Sequence, residues 1–150
     1  MRGGGLIMHK FVKLSFIYLC IGLALGVFYR EFSKAFGVVN TYTPLGLGHP
    51  HMLVLGCLVI LLIGLVATRL NKEEDKLFKI SLIGYQIGVC FTSLMLVIRG
   101  IFDVLNKGNE FVISSGLNGA LSGISGLAHI TLGVFIILIF VSLLRKNKSK

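Results

Sequence analysis

The sequence predicts an all-α fold, a bundle of four transmembrane helices forming a single integral membrane domain. Three observations predict it. Of the 150 residues, 55% are hydrophobic and only 14% are charged, and the mean hydropathy is strongly positive, which excludes an ordinary soluble domain. Four apolar stretches each reach the roughly 20 residues needed to cross a hydrocarbon core of about 30 Å. The Lys and Arg residues gather at the ends of these stretches and between them.

The first span covers residues 11–29, with Lys10 and Lys13 at its entry and no small-residue cleavage site before Tyr29-Arg30-Glu31. It therefore reads as a retained helix and not as a removed signal peptide. The second covers 50–68, because Pro50 suits the first position of a helix and His49 stands just outside it. The third covers 78–98 and the fourth 120–144. Between the second and third spans, Asn71-Lys72-Glu73-Glu74-Asp75-Lys76 reads as a solvated turn. The connections on the other side, about 29–48 and 100–116, are longer, as binding loops often are.

The distribution of cations sets the topology. Arg2, Lys10 and Lys13, then Arg69, Lys72, Lys76 and Lys79, then Arg145, Lys146, Lys148 and Lys150 fall on one side, and only Arg30, Lys34, Arg99 and Lys107 on the other. The positive-inside rule then puts both termini in the cytoplasm of a multi-pass protein. The net charge of +9 is accounted for by orientation and by attraction to anionic lipid, and no nucleic-acid role is expected.

Small residues mark close helix packing. Gly22 and Gly26 in the first span and Gly84 and Gly88 in the third are GxxxG pairs, which allow self-association as well as packing within the chain. Ile21 to Val27 resembles Ile83 to Val89, and Gly46-Leu47-Gly48-His49 resembles Gly126-Leu127-Ala128-His129. Two repeated helical hairpins are thus an alternative description of the bundle, with one histidine on each second helix. On the fourth span, Ser122, Gly126, His129 and Gly133 share a stripe that can approach a neighbouring helix or a flat ligand. Cys20, Cys57 and Cys90 show no ligand spacing and read as small buried hydrophobes.

His51 and His129 are the candidate site. Ionisable groups inside a bilayer are costly, so they mark function by default. A helical rise of 1.5 Å per residue puts His51 about 27 Å and His129 about 22 Å from the cytoplasmic boundary, with Arg30 and Arg99 about 28–30 Å up. Two imidazoles beneath two guanidiniums suit haem b, the histidines ligating iron and the arginines pairing with propionates. Phe28, Tyr29, Phe32, Phe36 and Phe102 are available to pack around the ring. Electron transfer or small-gas sensing near the outer face follows from such a haem, in company with a redox partner.

The rival is a three-histidine metal site, His49, His51 and His129, with Met52 as a further candidate ligand, binding Cu or Zn. Residues two apart on a helix project about 200° apart, so this site requires His49 to lie outside the helix. Glu31, Asp103 and Glu110 are too few and too scattered for Mg or Ca. A third reading is a non-catalytic structural or transport subunit whose histidines serve packing. With no nucleophile, carboxylate pair or nucleotide motif in view, the sequence supports no particular enzyme activity.

The run Gly26-Val27-Phe28-Tyr29-Arg30-Glu31-Phe32-Ser33-Lys34, His49-Pro50-His51 with Leu53-Val54-Leu55-Gly56, and Gly126-Leu127-Ala128-His129-Ile130 together resemble a family of small bacterial four-helix membrane proteins catalogued as a domain of unknown function. The resemblance covers nearly the whole chain and implies a place in the bacterial cytoplasmic membrane. The chain is more distantly similar to the helical membrane subunits of haem-copper oxidases, in which outer-side histidines hold haem, although it lacks their full ligand set.

Overall fold

A computed structural model describes residues 2–39 and 41–145, with side chains from Met8 onward. Its elements are α1 (Arg2–Ala35), α2 (Leu45–His51), a π-helical segment (Met52–Leu58), α3 (Val59–Arg69), α4 (Lys76–Lys107) and α5 (Ser115–Leu144), with no strand among the described residues. α2, the π segment and α3 form one uninterrupted span. Four helices, Met8–Ala35, Leu45–Arg69, Lys76–Lys107 and Ser115–Leu144, are long and apolar enough to cross a membrane. The protein is a four-helix membrane bundle in which only backbone bonded within each helix meets lipid.

The helices run past the apolar stretches that announce them. α1 has 34 residues and α4 has 32, about 50 Å each and well beyond a hydrocarbon core. The connections shrink accordingly. Three of them end a helix in the same way, with one residue in the left-handed region and a pair of reversed hydrogen bonds. At Gly37 (φ 69°) the Val38 amide donates to the Ser33 carbonyl at 3.0 Å. Asn71 (φ 52°) does this with Lys72 to Ala67 at 2.9 Å, and Asn109 (φ 61°) with Glu110 to Leu105 at 3.0 Å. Asp75 caps α4 by accepting from the Leu77 amide, and Ser114 caps α5 by accepting from that of Leu117.

The second span begins at Leu45, not at Pro50, so Pro50 lies inside a helix. Without an N–H it leaves the Gly46 carbonyl short of its usual donor. The chain recovers by changing register. Met52 shares its amide between the Gly48 and His49 carbonyls, and by Val59 the bond runs to Val54, five residues back.

The helices associate as two hairpins. α1 packs along α2, the π segment and α3, while α4 and α5 form the most extensive pairing; α2 and the π segment join the hairpins by lying on α4. The same device builds both. A Cβ at Gly22 would meet the Leu53 side chain at 2.8 Å, and one at Gly88 would lie 2.7 Å from Leu132 Cα. Gly84 receives the Phe135 ring, and Gly100 receives the Leu45 backbone. The main core gathers Phe11, Tyr18, Met52, Ile60, Phe78, Tyr85, Leu132 and Ile139. At the end bearing both termini, Lys72 is only 3% exposed and donates through Nζ to the Arg145 carbonyl, tying the short connector to the end of α5. Cys20 and Cys90 are exposed on helix faces and Cys57 is half-buried, so two of the three face outward instead of filling the core.

Gly88→Ala is expected to destabilise the bundle by about 1–3 kcal/mol through overpacking against Leu132. Gly123→Ala, where nothing lies within 4 Å, should leave stability unchanged or raise it by up to about 1 kcal/mol through helix propensity. Thermal melting of the detergent-solubilised protein, followed by circular dichroism, checks both; equal losses would contradict the α4–α5 approach.

Candidate histidine site

His51 ends α2 and His129 lies midway along α5, and the two rings meet across the groove between these helices. Their centroids are 6.2 Å apart and their planes are inclined at 85°. The π segment after Pro50 places more residues in each turn and so shortens the vertical distance counted for His51.

Both rings are held alike. His51 Nδ1 lies 2.8 Å from the Leu47 carbonyl oxygen and His129 Nδ1 lies 2.9 Å from that of Ser125, each four residues back. A carbonyl only accepts, so Nδ1 carries the proton in both rings. In the neutral imidazole this leaves the lone pair on Nε2, the arrangement in which a ligating histidine is oriented by its other nitrogen. With Nε2–metal bonds of about 2.0–2.1 Å, rings at this separation could both reach a single ion.

The surroundings are apolar and open. His51 borders a groove of about 350 Å³ with Leu47, Pro50, Val54 and Leu55. On α5, a Cβ added at Gly126 or Gly133 would meet nothing within 4 Å. The stripe of small residues around His129 therefore does not pack on a neighbouring helix of the same chain, and its flat face stays free. The glycines of α1 and α4 are filled by neighbours; these are not.

His49 does not join the pair. It stands inside α2, not beyond its start, because the helix begins five residues earlier than Pro50 suggests. Two residues before His51, it points well round the helix and packs on Gly26 of α1, whose added Cβ would lie 3.7 Å from its Cγ. Its Nδ1 is buried without a partner. Among the described residues no group of three or more His, Cys, Asp or Glu side chains is placed to hold a metal ion, so the three-histidine arrangement is not assembled.

The arginines separate. Arg99 is half-buried and lines a polar cavity of about 320 Å³ with Asp103, Lys107, Tyr42 and Asn118 at the loop end of the bundle. Leu121 borders the same cavity, eight residues or about 12 Å along α5 from His129. Lys107 is engaged there, donating to Asp103 at 2.9 Å and to the Tyr42 carbonyl at 2.5 Å. Arg30 is exposed on α1, with Nε 3.7 Å from Glu31, on an element without extensive contact with α5. The aromatic residues also divide. Phe28, Phe32 and Phe36 stack along the end of α1, and Phe102 lies against Phe111 with centroids 5.7 Å apart. They do not surround the histidines.

The fold and site define a multi-pass helical membrane protein with one intramembrane histidine pair. The chain belongs to the DUF2871 family, described as a protein of unknown function, whose family model matches residues 8–146. No curated protein and no solved structure matches it, so the resemblance to haem-copper oxidase subunits gains no support there.

In the protein labelled with ¹⁵N-histidine, His51 and His129 are expected to give the shifts of the Nδ1–H tautomer in NMR at neutral pH. Nε2–H signals from either ring would contradict the bonds to Leu47 and Ser125.

Proposed function

We propose that the chain is a haem b-binding membrane protein in which His51 and His129 would hold the iron, serving electron transfer near the face opposite the termini. The observation that carries this reading is the pair itself: two rings 6.2 Å apart, both with Nδ1 tied to a helix carbonyl and Nε2 left as the ligating atom. The open faces at Gly126 and Gly133 suit a flat ring beside His129. Arg99, half-buried toward the loop end, would pair with a propionate, while Arg30 has Glu31 as its neighbour. Bound there, haem supplies one-electron cycling of its iron.

Two histidines offered to the iron would favour electron transfer over gas sensing, which needs an open position. The residues' own work is steric and electrostatic. The carbonyls of Leu47 and Ser125 hold the rings in orientation. Leu47, Val54 and Leu55 give His51 an apolar wall. Eleven of the fifteen Lys and Arg residues fall at the end carrying the termini and the 70–75 connector, so the positive-inside rule supports cytoplasmic termini and a site toward the outer leaflet.

The test is the absorption spectrum of detergent-purified protein from cells supplied with a haem precursor, oxidised and dithionite-reduced, with elemental analysis for Fe, Cu and Zn. A Soret band with sharp reduced α and β bands is expected, lost in both His51→Ala and His129→Ala and retained in His49→Ala. Near-stoichiometric Cu or Zn without a Soret band would replace haem with a bare metal, and neither would leave the histidines as interhelical contacts.

A further inference from the structure

A second groove lies on the other side of the π segment, between α1 and α4. It comprises two adjoining hollows of about 520 and 370 Å³ that share Cys90 and Leu94, sizes within the range of small-molecule sites. Ile21 and Leu25 of α1 form one wall and Met52 forms part of the floor. The Tyr18 hydroxyl and Cys90 Sγ, 3.5 Å apart, link the two walls.

Polar groups without partners line this apolar space. Ser93 borders the smaller hollow, is 1% exposed, and its hydroxyl has no hydrogen bond. Ser122, Ser125 and Thr131 of α5 each donate to the carbonyl four residues back, whereas Ser81, Thr92 and Ser142 share the unpartnered state of Ser93 but border neither hollow. Gln86 borders the larger hollow, and its amide makes no hydrogen bond among the described residues. Unsatisfied donors at bilayer depth are costly. A lipid acyl chain would fill the space and leave both donors unmet.

We propose that this groove binds the head of a membrane-dissolved quinone, a flat apolar ring with a carbonyl acceptor on each of two opposite edges and an apolar tail directed to lipid. Ser93 donates to one carbonyl and Gln86 to the other. The two residues are seven apart on α4, hence on the same face and separated by about 10.5 Å along the axis, which leaves room for a ring between two hydrogen bonds of about 2.8–3.0 Å. Met52, on the groove floor, follows His51 directly, so the quinone head and the histidine pair lie on neighbouring sides of one helix. Any electron exchange between them rests on the haem reading; the binding does not.

The test uses the full chain in nanodiscs, a photoreactive azidoquinone as probe and decylubiquinone as competitor, with labelled peptides located by mass spectrometry. Saturable labelling of α1 and α4 peptides around Tyr18 to Leu25 and Gln86 to Val97 is expected, competed by decylubiquinone and not by decanol. Ser93→Ala with Gln86→Leu should weaken competition roughly tenfold, the loss of one to two net hydrogen bonds. Ile87→Trp, which obstructs the groove without touching either donor, should abolish labelling there. The His51→Ala/His129→Ala protein should label as the native chain does, so a failure of the haem reading would register separately. Labelling elsewhere, equal competition by decanol, or indifference to both the donor and the obstructing variants in protein that melts normally would overturn the proposal.

Discussion

How closely α4 lets its neighbours approach governs the rest of the structure. It packs extensively on both hairpins, α5 on one side and α2 with the π segment on the other. Glycine makes both approaches possible: Gly84 and Gly88 admit Phe135 and the Leu132 backbone, and Gly100 admits the backbone of Leu45. Between helices in lipid, association depends on such close van der Waals contact more than on the exclusion of water. Leu45 is six residues before His51, and Leu132 is three after His129. The separation of the two imidazoles is therefore set by contacts to a third helix, not by any contact of their own.

The bilayer explains how the polar groups are handled. Where no water is available, a side-chain donor on a helix bonds most readily to the free lone pair of a carbonyl one turn back. Ser122, Ser125 and Thr131 do so on α5, and His51 and His129 use the same geometry through Nδ1. For a serine this ends the matter. A histidine keeps a second nitrogen, so satisfying the first fixes its tautomer and presents the other. The same rule that makes polar side chains tolerable in the membrane thus prepares these two rings as ligands.

The number of spans and their antiparallel order were legible in hydropathy, length and charge, because lipid imposes all three. Helix ends were less so. The spans continue past the apolar stretches where polar turns leave the membrane, and they stop at Gly37, Asn71 and Asn109 because these residues take positive φ, a positional property that composition does not reveal. The similar depth of His51 and His129 was countable from the sequence, but that their rings meet was not. The placing of His49 did depend on phase. Pro50 reads as a first residue but sits in the interior, and that shift of five residues carried His49 into the helix and turned it toward Gly26. The register change at Met52–Leu58 has no sequence signal beyond Pro50 itself. Arg30 shows the same dependence: its height was countable, but its side of the bundle was not.

The glycines finally divide into two kinds, and the division bears on what the chain lacks by itself. In α1, α3 and α4, and across the π segment, glycines such as Gly22, Gly56, Gly64 and Gly88 are filled by a leucine, an aromatic ring or a neighbouring backbone. On α5, Gly116, Gly119, Gly123, Gly126 and Gly133 face open space. Each glycine in a helix interior costs about 0.8–1.0 kcal/mol relative to alanine, and a filled one recovers this through packing. Open glycines recover nothing within the chain. A face smoothed over five positions beside an oriented imidazole is compensated only by something laid against it from outside, and a flat ring held at His129 is an occupant that would use the smoothness and the nitrogen together.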